Sequence, residues 1–335
     1  MKKPYHQSLK FFHTFKINVF AKNIIIVKTI EKLINIWKKC KKYNLPFLIL
    51  GEGSNIIFNN NYRGIVVINQ ITGITICETS DYWSLHVKGG VKWHKLVKYT
   101  IKRGIYGLEN LALIPGSVGA APIQNIGAYG VEFKDICQYV DILFLNNLKI
   151  TRINVENCLF SYRNSIFNRQ RNLHYIIYAV GIKLPKAWNP ITSYLNLTTC
   201  NFKNITAHKI FHHISKLRKT KIPNPKKIGN AGSFFKNPII NKQQAYNLMY
   251  KYRTLPYFLQ NNGMIKISAG WLIEACKLKG FSIGHAEIYR KQALILINKN
   301  NAATSKEVIQ LARKIAYCVK QKFNITLESE VKIIH

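Results

Sequence analysis

The sequence predicts a mixed α+β protein with two or three domains in one chain. Three observations carry that expectation. Short apolar runs of strand character are interspersed with stretches of helical spacing, and no internal repeat is evident. At 335 residues the chain exceeds what one hydrophobic core usually organises. Lys221-Ile222-Pro223-Asn224-Pro225 is the clearest linker, because two prolines within three residues end regular structure.

The elements follow in order. Residues 22–27 form a strand, and Thr29 caps a helix whose apolar positions Ile30, Leu33, Ile34 and Trp37 share one face. Residues 45–50 form a buried strand that ends in Gly51-Glu52-Gly53-Ser54-Asn55. Strands over 56–58 and 65–68 complete a small β-α-β-β unit. A strand over 82–88 precedes a helix over 91–103, stopped by Gly104. Residues 140–145 and 149–155 pair across Asn146-Asn147, and a strand covers 175–184. A helix is placed near 207–219. Ser268 caps a helix that runs to Gly280, and residues 293–297 form a buried strand. Thr304 and Glu307 make a capping box for a last helix with Val308, Leu311, Ala312, Ile315 and Val319 as its stripe.

Ile114–Gly130 stands apart. No charge falls between Glu109 and Glu132, in a chain of formal net charge +36. Four glycines and two prolines punctuate the stretch. Glycine lets backbone approach a ligand closely, and proline fixes φ. A transmembrane helix needs an uninterrupted apolar run, so this one is excluded. The expectation is a rigid, uncharged cofactor wall with many amides free to point at a ligand. The Gly51–Asn55 turn is compatible with a phosphate nest and equally with a plain tight turn. It is neither a dinucleotide fingerprint nor a P-loop, because the third glycine and the Gly-Lys-Ser/Thr are missing.

The basic charge is spread along the chain, and no nucleic-acid-binding motif appears. Compositional drift therefore explains it better than nucleic-acid binding, though such a field still favours an anionic substrate. The seven cysteines are scattered without Cys-x-x-Cys, which argues against a disulfide framework or a structural zinc site. No signal peptide and no membrane span are visible, and with the scattered cysteines this suits a reducing cytoplasm; no metal is expected, and the absence of an obvious exposed apolar helix favours a monomer.

Gly51–Asn55, Ile114–Gly130, Tyr162-Arg163, Gly229–Pro238 and Leu327–Val331, in this order, closely resemble the UDP-N-acetylenolpyruvoylglucosamine reductase family of bacterial cell-wall synthesis, in its longer subgroup. The match covers essentially the whole chain. The resemblance implies a two-lobed FAD-binding domain of the vanillyl-alcohol-oxidase type plus a C-terminal α+β substrate domain. The lobes would cover 1–68 and 69–219. The substrate domain would cover 220–322, and 323–335 would return to the active site. FAD, bound noncovalently, would lie against Gly51, Gly53, Ser54 and Asn55. Along the wall it would meet Pro115, Gly116, Ser117, Gly119, Ala120, Ile123, Asn125, Ile126, Gly127 and Tyr129, with Arg218 nearby.

The implied reaction takes hydride from NADPH to FAD and then to the methylene carbon of UDP-N-acetylglucosamine enolpyruvate, giving UDP-N-acetylmuramate. Ser233 would protonate the resulting enolate, and Arg163 and Glu330 would stabilise it. The alternative is an FAD-dependent oxidase of another sugar or alcohol on the same scaffold, in which Ser233 and Glu330 have no obvious task. An ionised carboxylate beside an enolate is unfavourable, so Glu330 is expected to act as the neutral acid. From the residues alone Glu328 competes with Glu330; the family's position, one residue before a valine, selects Glu330. Tyr162, Tyr194, Lys221, Asn237 and Gln292 would hold the nucleotide sugar.

The chain departs from the family pattern at several points. Lys16 stands where a glycine is usual, and that turn is expected to be rearranged. Phe258, beside Tyr257, replaces a tyrosine that closes over the nucleotide. Ile288-Tyr289 replaces Val-His, and Ser329 replaces the commoner proline.

Overall fold

A computed structural model describes residues 7–169, 175–192, 205–260 and 262–335. The described residues divide into two compact units. One comprises Ala21–Gly53 and Arg63–Lys219, and the other comprises Ser8–Phe20, Ser54–Tyr62 and Thr220–His335. The chain therefore passes from one unit to the other inside the Gly51–Asn55 turn.

Among the described residues the first unit holds two larger sheets and the short pairing of Gly127–Ala128 with Val131–Glu132. In the smaller of the two sheets, strands Phe20–Val27, Tyr62–Asn69 and Phe47–Leu50 lie side by side, and the last two run parallel. The helix Ile30–Lys42 packs on it through Leu33, Ile36, Trp37 and Cys40, with the Thr29 hydroxyl accepting from Lys32 N–H. The larger sheet is an antiparallel set in the order Ile150–Asn154, Cys137–Phe144, Tyr175–Pro185, Tyr82–Lys88, Ile74–Glu78. Residues Leu85, Val87, Val140, Ile142 and Val180 face the helix Trp93–Lys102 and bury Trp93, Leu96, Val97 and Ile101 with it. Leu143, Leu145 and Ile176 join the core under the first helix, and Trp37 Nε1 donates to Leu145 O at 2.8 Å. Both sheets therefore contribute to the core under the first helix, which is separate from the core under Trp93–Lys102.

The second unit has a sheet ordered Gly229–Ser233, Ile295–Asn298, Ala286–Ile288, Ser282–Ile283. A smaller sheet is formed by Ile239–Ile240, Ile265–Ile267 and Tyr257–Leu259. The helix Ser305–Phe323 buries Val308, Leu311, Ile315, Val319 and Phe323, and both arms of its Thr304–Glu307 capping box are formed. Ile56–Phe58 does not complete the first unit's sheet as the β-α-β-β expectation had it. It pairs in parallel with Lys332–Ile334. The helix capped by Ser268 ends at Ala275, short of Gly280, and Lys277 there takes a left-handed φ of 58°. The helix Lys242–Lys251 and the strand Ile74–Glu78 were not anticipated.

The turn at Lys16 is left-handed. Lys16 sits at φ 58°, and its ammonium donates to Lys226 O at 2.5 Å.

Candidate active site

The glycines of the first unit act by leaving space. A Cβ on Gly51 would overlap Ser117 Oγ and lie 2.8 Å from Ser117 Cβ. Only glycine therefore lets the turn and the wall touch. A Cβ on Gly119 would stand 3.0 Å from Gly89 Cα and 3.2 Å from Ile177 O, so the wall lies directly on the larger sheet. Gly116 and Gly130 take φ of 124° and 88°. His94 Nδ1 accepts from Leu113 N–H at 3.1 Å, fixing the left-handed residue (φ 57°) at which the wall begins.

The expectation of many free amides in the wall needs correction. Gly116 N–H donates to Glu52, Val118 to Val91 O, Gly119 to Gly89 O, Ala121 to Val118 O and Ile126 to Ala121 O. Buried backbone must find partners, and short 3₁₀ turns supply them from within. Asn125 is fully buried. Its side chain donates to Glu132 Oε2 at 2.9 Å and to Ser161 O at 3.2 Å, and accepts from Lys134 N–H. It braces the wall from behind. Pro115 and Ile123 are exposed, while Ala120, Ile126, Gly127 and Tyr129 are half-buried.

Arg163 sits at φ 51°, a strained conformation for a non-glycine residue. Its NH2 donates to Gly127 O at 2.8 Å, and its guanidinium lies 5.4 Å from the Tyr162 ring. Arg218 occupies the last turn of the helix Ala207–Lys221. Its Nε is buried and finds no hydrogen-bond partner among the described residues. Burial holds the Arg218 guanidinium below its usual range, Tyr129 pulls it up, and Arg163 presses it down. Burial also raises the Tyr129 phenol, against the opposing pull of Arg218. A buried cation with an unmet donor beside an uncharged, glycine-lined wall suits a flat ring bearing carbonyl acceptors. These residues fit FAD.

In the second unit, strand pairing slips between Asn230, opposite Ile297, and Ser233, opposite Ile295. The slip is a bulge, a device that re-aims side chains. Asn230 holds it: its amide donates to Pro223 O and Ile228 O, and its oxygen accepts from Gly232 N–H. Gly232 supplies the left-handed φ of 71°. Ser233 emerges exposed. Next to it, Phe234 O accepts from Glu330 N–H at 2.8 Å, so the Glu330 segment lies alongside Ser233's strand. Asn55 Nδ2 donates to Glu330 O at 3.0 Å and ties the end of the turn to that segment. Glu328 is instead exposed and paired with Lys236 at 3.2 Å. Asn237 accepts from Ala269 N–H, and Gln292 Oε1 lies 3.3 Å from where a Cβ on Gly270 would be, so both meet the same short helix. Lys221 is exposed at the end of its helix. Tyr194 lies outside the described residues.

Comparisons with known proteins agree with this architecture. Residues 21–153 match the FAD binding domain family. Residues 224–334 match the C-terminal domain of UDP-N-acetylenolpyruvoylglucosamine reductase. The reductase of that name from Buchnera aphidicola subsp. Baizongia pistaciae is 68% identical over 99% of this chain and 100% of its own length. The chain belongs to the UDP-N-acetylenolpyruvoylglucosamine reductase family. The Escherichia coli K12 reductase is 47% identical over 98% of this chain and 96% of its own. The crystal structure of the Thermus caldophilus reductase shares the fold, with TM-score 0.65 at 23% identity, covering 98% of each chain. As a member of this family the chain is an FAD-binding oxidoreductase with the expected α+β architecture. No helix among the described residues is long and apolar enough to cross a membrane.

Sequence reasoning passed over two residues that shape this site. His94 gave no signal, because its contact with Leu113 depends on a tertiary approach. Glu52 did give one: it is the only charge inside a turn read as an anion nest.

Proposed function

We propose that this reductase converts UDP-N-acetylglucosamine enolpyruvate to UDP-N-acetylmuramate with NADPH as the hydride source. Family membership supports the overall reaction. The observation that carries the assignment of residues is the bulge that presents Ser233 beside the Glu330 segment. Bound FAD would supply the hydride-transfer chemistry that links NADPH to the enolpyruvyl methylene carbon.

The chain's own residues handle charge and proton. Hydride addition to the methylene carbon leaves negative charge on the ether carbon that delocalises into the adjoining carboxylate as its enolate. Arg163 meets that charge with a fork of donors already oriented by its bond to Gly127 O. Ser233 gives its hydroxyl proton to the enolate carbon, and the exposure of its side chain leaves the hydroxyl accessible to substrate. Glu330 contributes as a neutral acid. Tyr162, Tyr194, Lys221, Asn237 and Gln292 hold the nucleotide sugar, with Lys221 a point charge for the diphosphate. Phe258 and Tyr257 are both exposed on an edge strand; either Tyr257 takes over the covering tyrosine's hydrogen bond to the nucleotide or that bond is lost.

The test is NADPH oxidation by the purified flavoprotein with and without the enolpyruvyl nucleotide sugar. Stoichiometric consumption of both, with product formed, is expected. NADPH oxidation indifferent to that sugar would overturn the proposal.

A further inference from the structure

Glu52 is the only charged residue between Gly51 and Asn55, in a turn assigned to an anionic cofactor. A lone carboxylate there would repel a pyrophosphate. The structure gives it another task. Glu52 Oε2 accepts from Gly116 N–H at 2.9 Å, and Oε1 pairs with Lys92 Nζ at 2.6 Å. The backbone of Lys92 bridges to Ser117, and Trp93 N–H donates to Gly116 O at 2.8 Å. Gly51, without a Cβ, admits the Ser117 side chain. Residues 116 and 117 are thus gripped from the turn on one side and from the start of the helix Trp93–Lys102 on the other. Gly116 needs this grip, since its φ of 124° points its N–H where no helix or sheet would satisfy it.

We propose that Glu52 is a positioning residue for FAD: its carboxylate, neutralised by Lys92, clamps the wall to the turn. The proposal rests on the assignment of FAD to this unit. Charge and hydrogen bonding do separable work in such a clamp. The oxygen acceptor sets the position of Gly116. The lysine keeps the carboxylate from opposing the cofactor's phosphates.

The experiment titrates FAD into apo-protein by flavin fluorescence, records the bound-flavin absorbance spectrum, and melts each apo-protein. Glu52→Ala should weaken FAD binding about tenfold to a hundredfold, the loss of one charge-assisted hydrogen bond. Glu52→Gln keeps an acceptor for Gly116 and should recover most of that loss, with a wild-type flavin spectrum. Lys92→Ala should weaken binding by leaving the carboxylate uncompensated, and adding Glu52→Gln to it should tighten binding again. That reversal does not require Glu52→Ala to fold. A purely structural role would lower apo-protein melting without the reversal. Wild-type FAD affinity in Glu52→Ala, Glu52→Gln as poor as Glu52→Ala, or a double variant no tighter than Lys92→Ala would each overturn the proposal. Wild-type protein that takes up no FAD would overturn it through the cofactor assignment.

Discussion

Ser233→Ala separates the chemistry of the second unit from its folding. The side chain is exposed at the end of its strand, so its removal uncovers no core. Substitutions at such positions stay within about 0.5 kcal/mol of the parent stability. The catalytic effect is of a different size. A positioned proton donor is worth roughly 10²–10⁴-fold, about 3–5 kcal/mol of barrier. Anaerobic stopped-flow mixing reads the two half-reactions through the flavin absorbance. Reduction by NADPH should keep its rate, and reoxidation by the enolpyruvyl substrate should slow by that factor, with an unchanged melting curve. Gly232→Ala is the companion. Its new Cβ would meet nothing within 4 Å, so the variant adds only left-handed backbone strain of about 1–2 kcal/mol and shifts the aim of an intact hydroxyl. Its reoxidation rate should fall between the other two. Reoxidation of Ser233→Ala at the wild-type rate would refute the reasoning.

Three further outcomes are expected. Gly51→Ala should cost about 1–3 kcal/mol by driving a methyl into Ser117, and Ser117→Gly in the same chain should recover much of it; chemical denaturation reads both, and no recovery would deny the contact. Lys16→Gly should leave stability unchanged or raise it by up to about 1 kcal/mol, since it relieves a left-handed lysine while adding unfolded-state freedom; a clear loss would show that the Lys226 contact matters more than the strain. His13 is buried with Nε2–H donated to Ile17 O and no partner for Nδ1 among the described residues, and burial lowers its pKa from 6.5 to about 4. As pH falls the unfolded chain binds this proton first, so stability complete above pH 6.5 is lost progressively toward pH 4, by roughly 3 kcal/mol. The melting advantage of wild type over His13→Gln should shrink across that window, and parallel curves would contradict it.

Local signals were legible where one residue type does one job. Thr29, Ser268 and Thr304 cap helices as their spacing indicated, because a side-chain oxygen three residues before an amide needs nothing from the rest of the fold. The uncharged stretch was also legible, but not how its amides are used, since their partners come from Gly89, Val91 and Glu52. Asn241 caps the helix Lys242–Lys251 just as clearly. That helix was passed over because it buries only Ala245 and shows little apolar stripe. Ile56–Phe58 looked like a neighbour of 47–50 because it follows closely in sequence, yet its partner lies near the end of the chain. At the site, the Gly-Asn-Ala-Gly-Ser block singled out Ser233 as the proposed proton donor. The bulge that aims it was invisible, because a register slip is a property of two strands together.

The pairing of Ile56–Phe58 with Lys332–Ile334 has a bearing on biogenesis. The nascent chain releases residues 56–58 from the ribosome long before 332–334 exist. Throughout translation that early segment waits without its native neighbour, and closing so long a loop is slow. All sequence belonging to the FAD-binding unit has by then been synthesised, so it can fold first. The unit carrying Ser233 and Glu330 is sealed by residues 332–334, and a product stalled before them would leave it open.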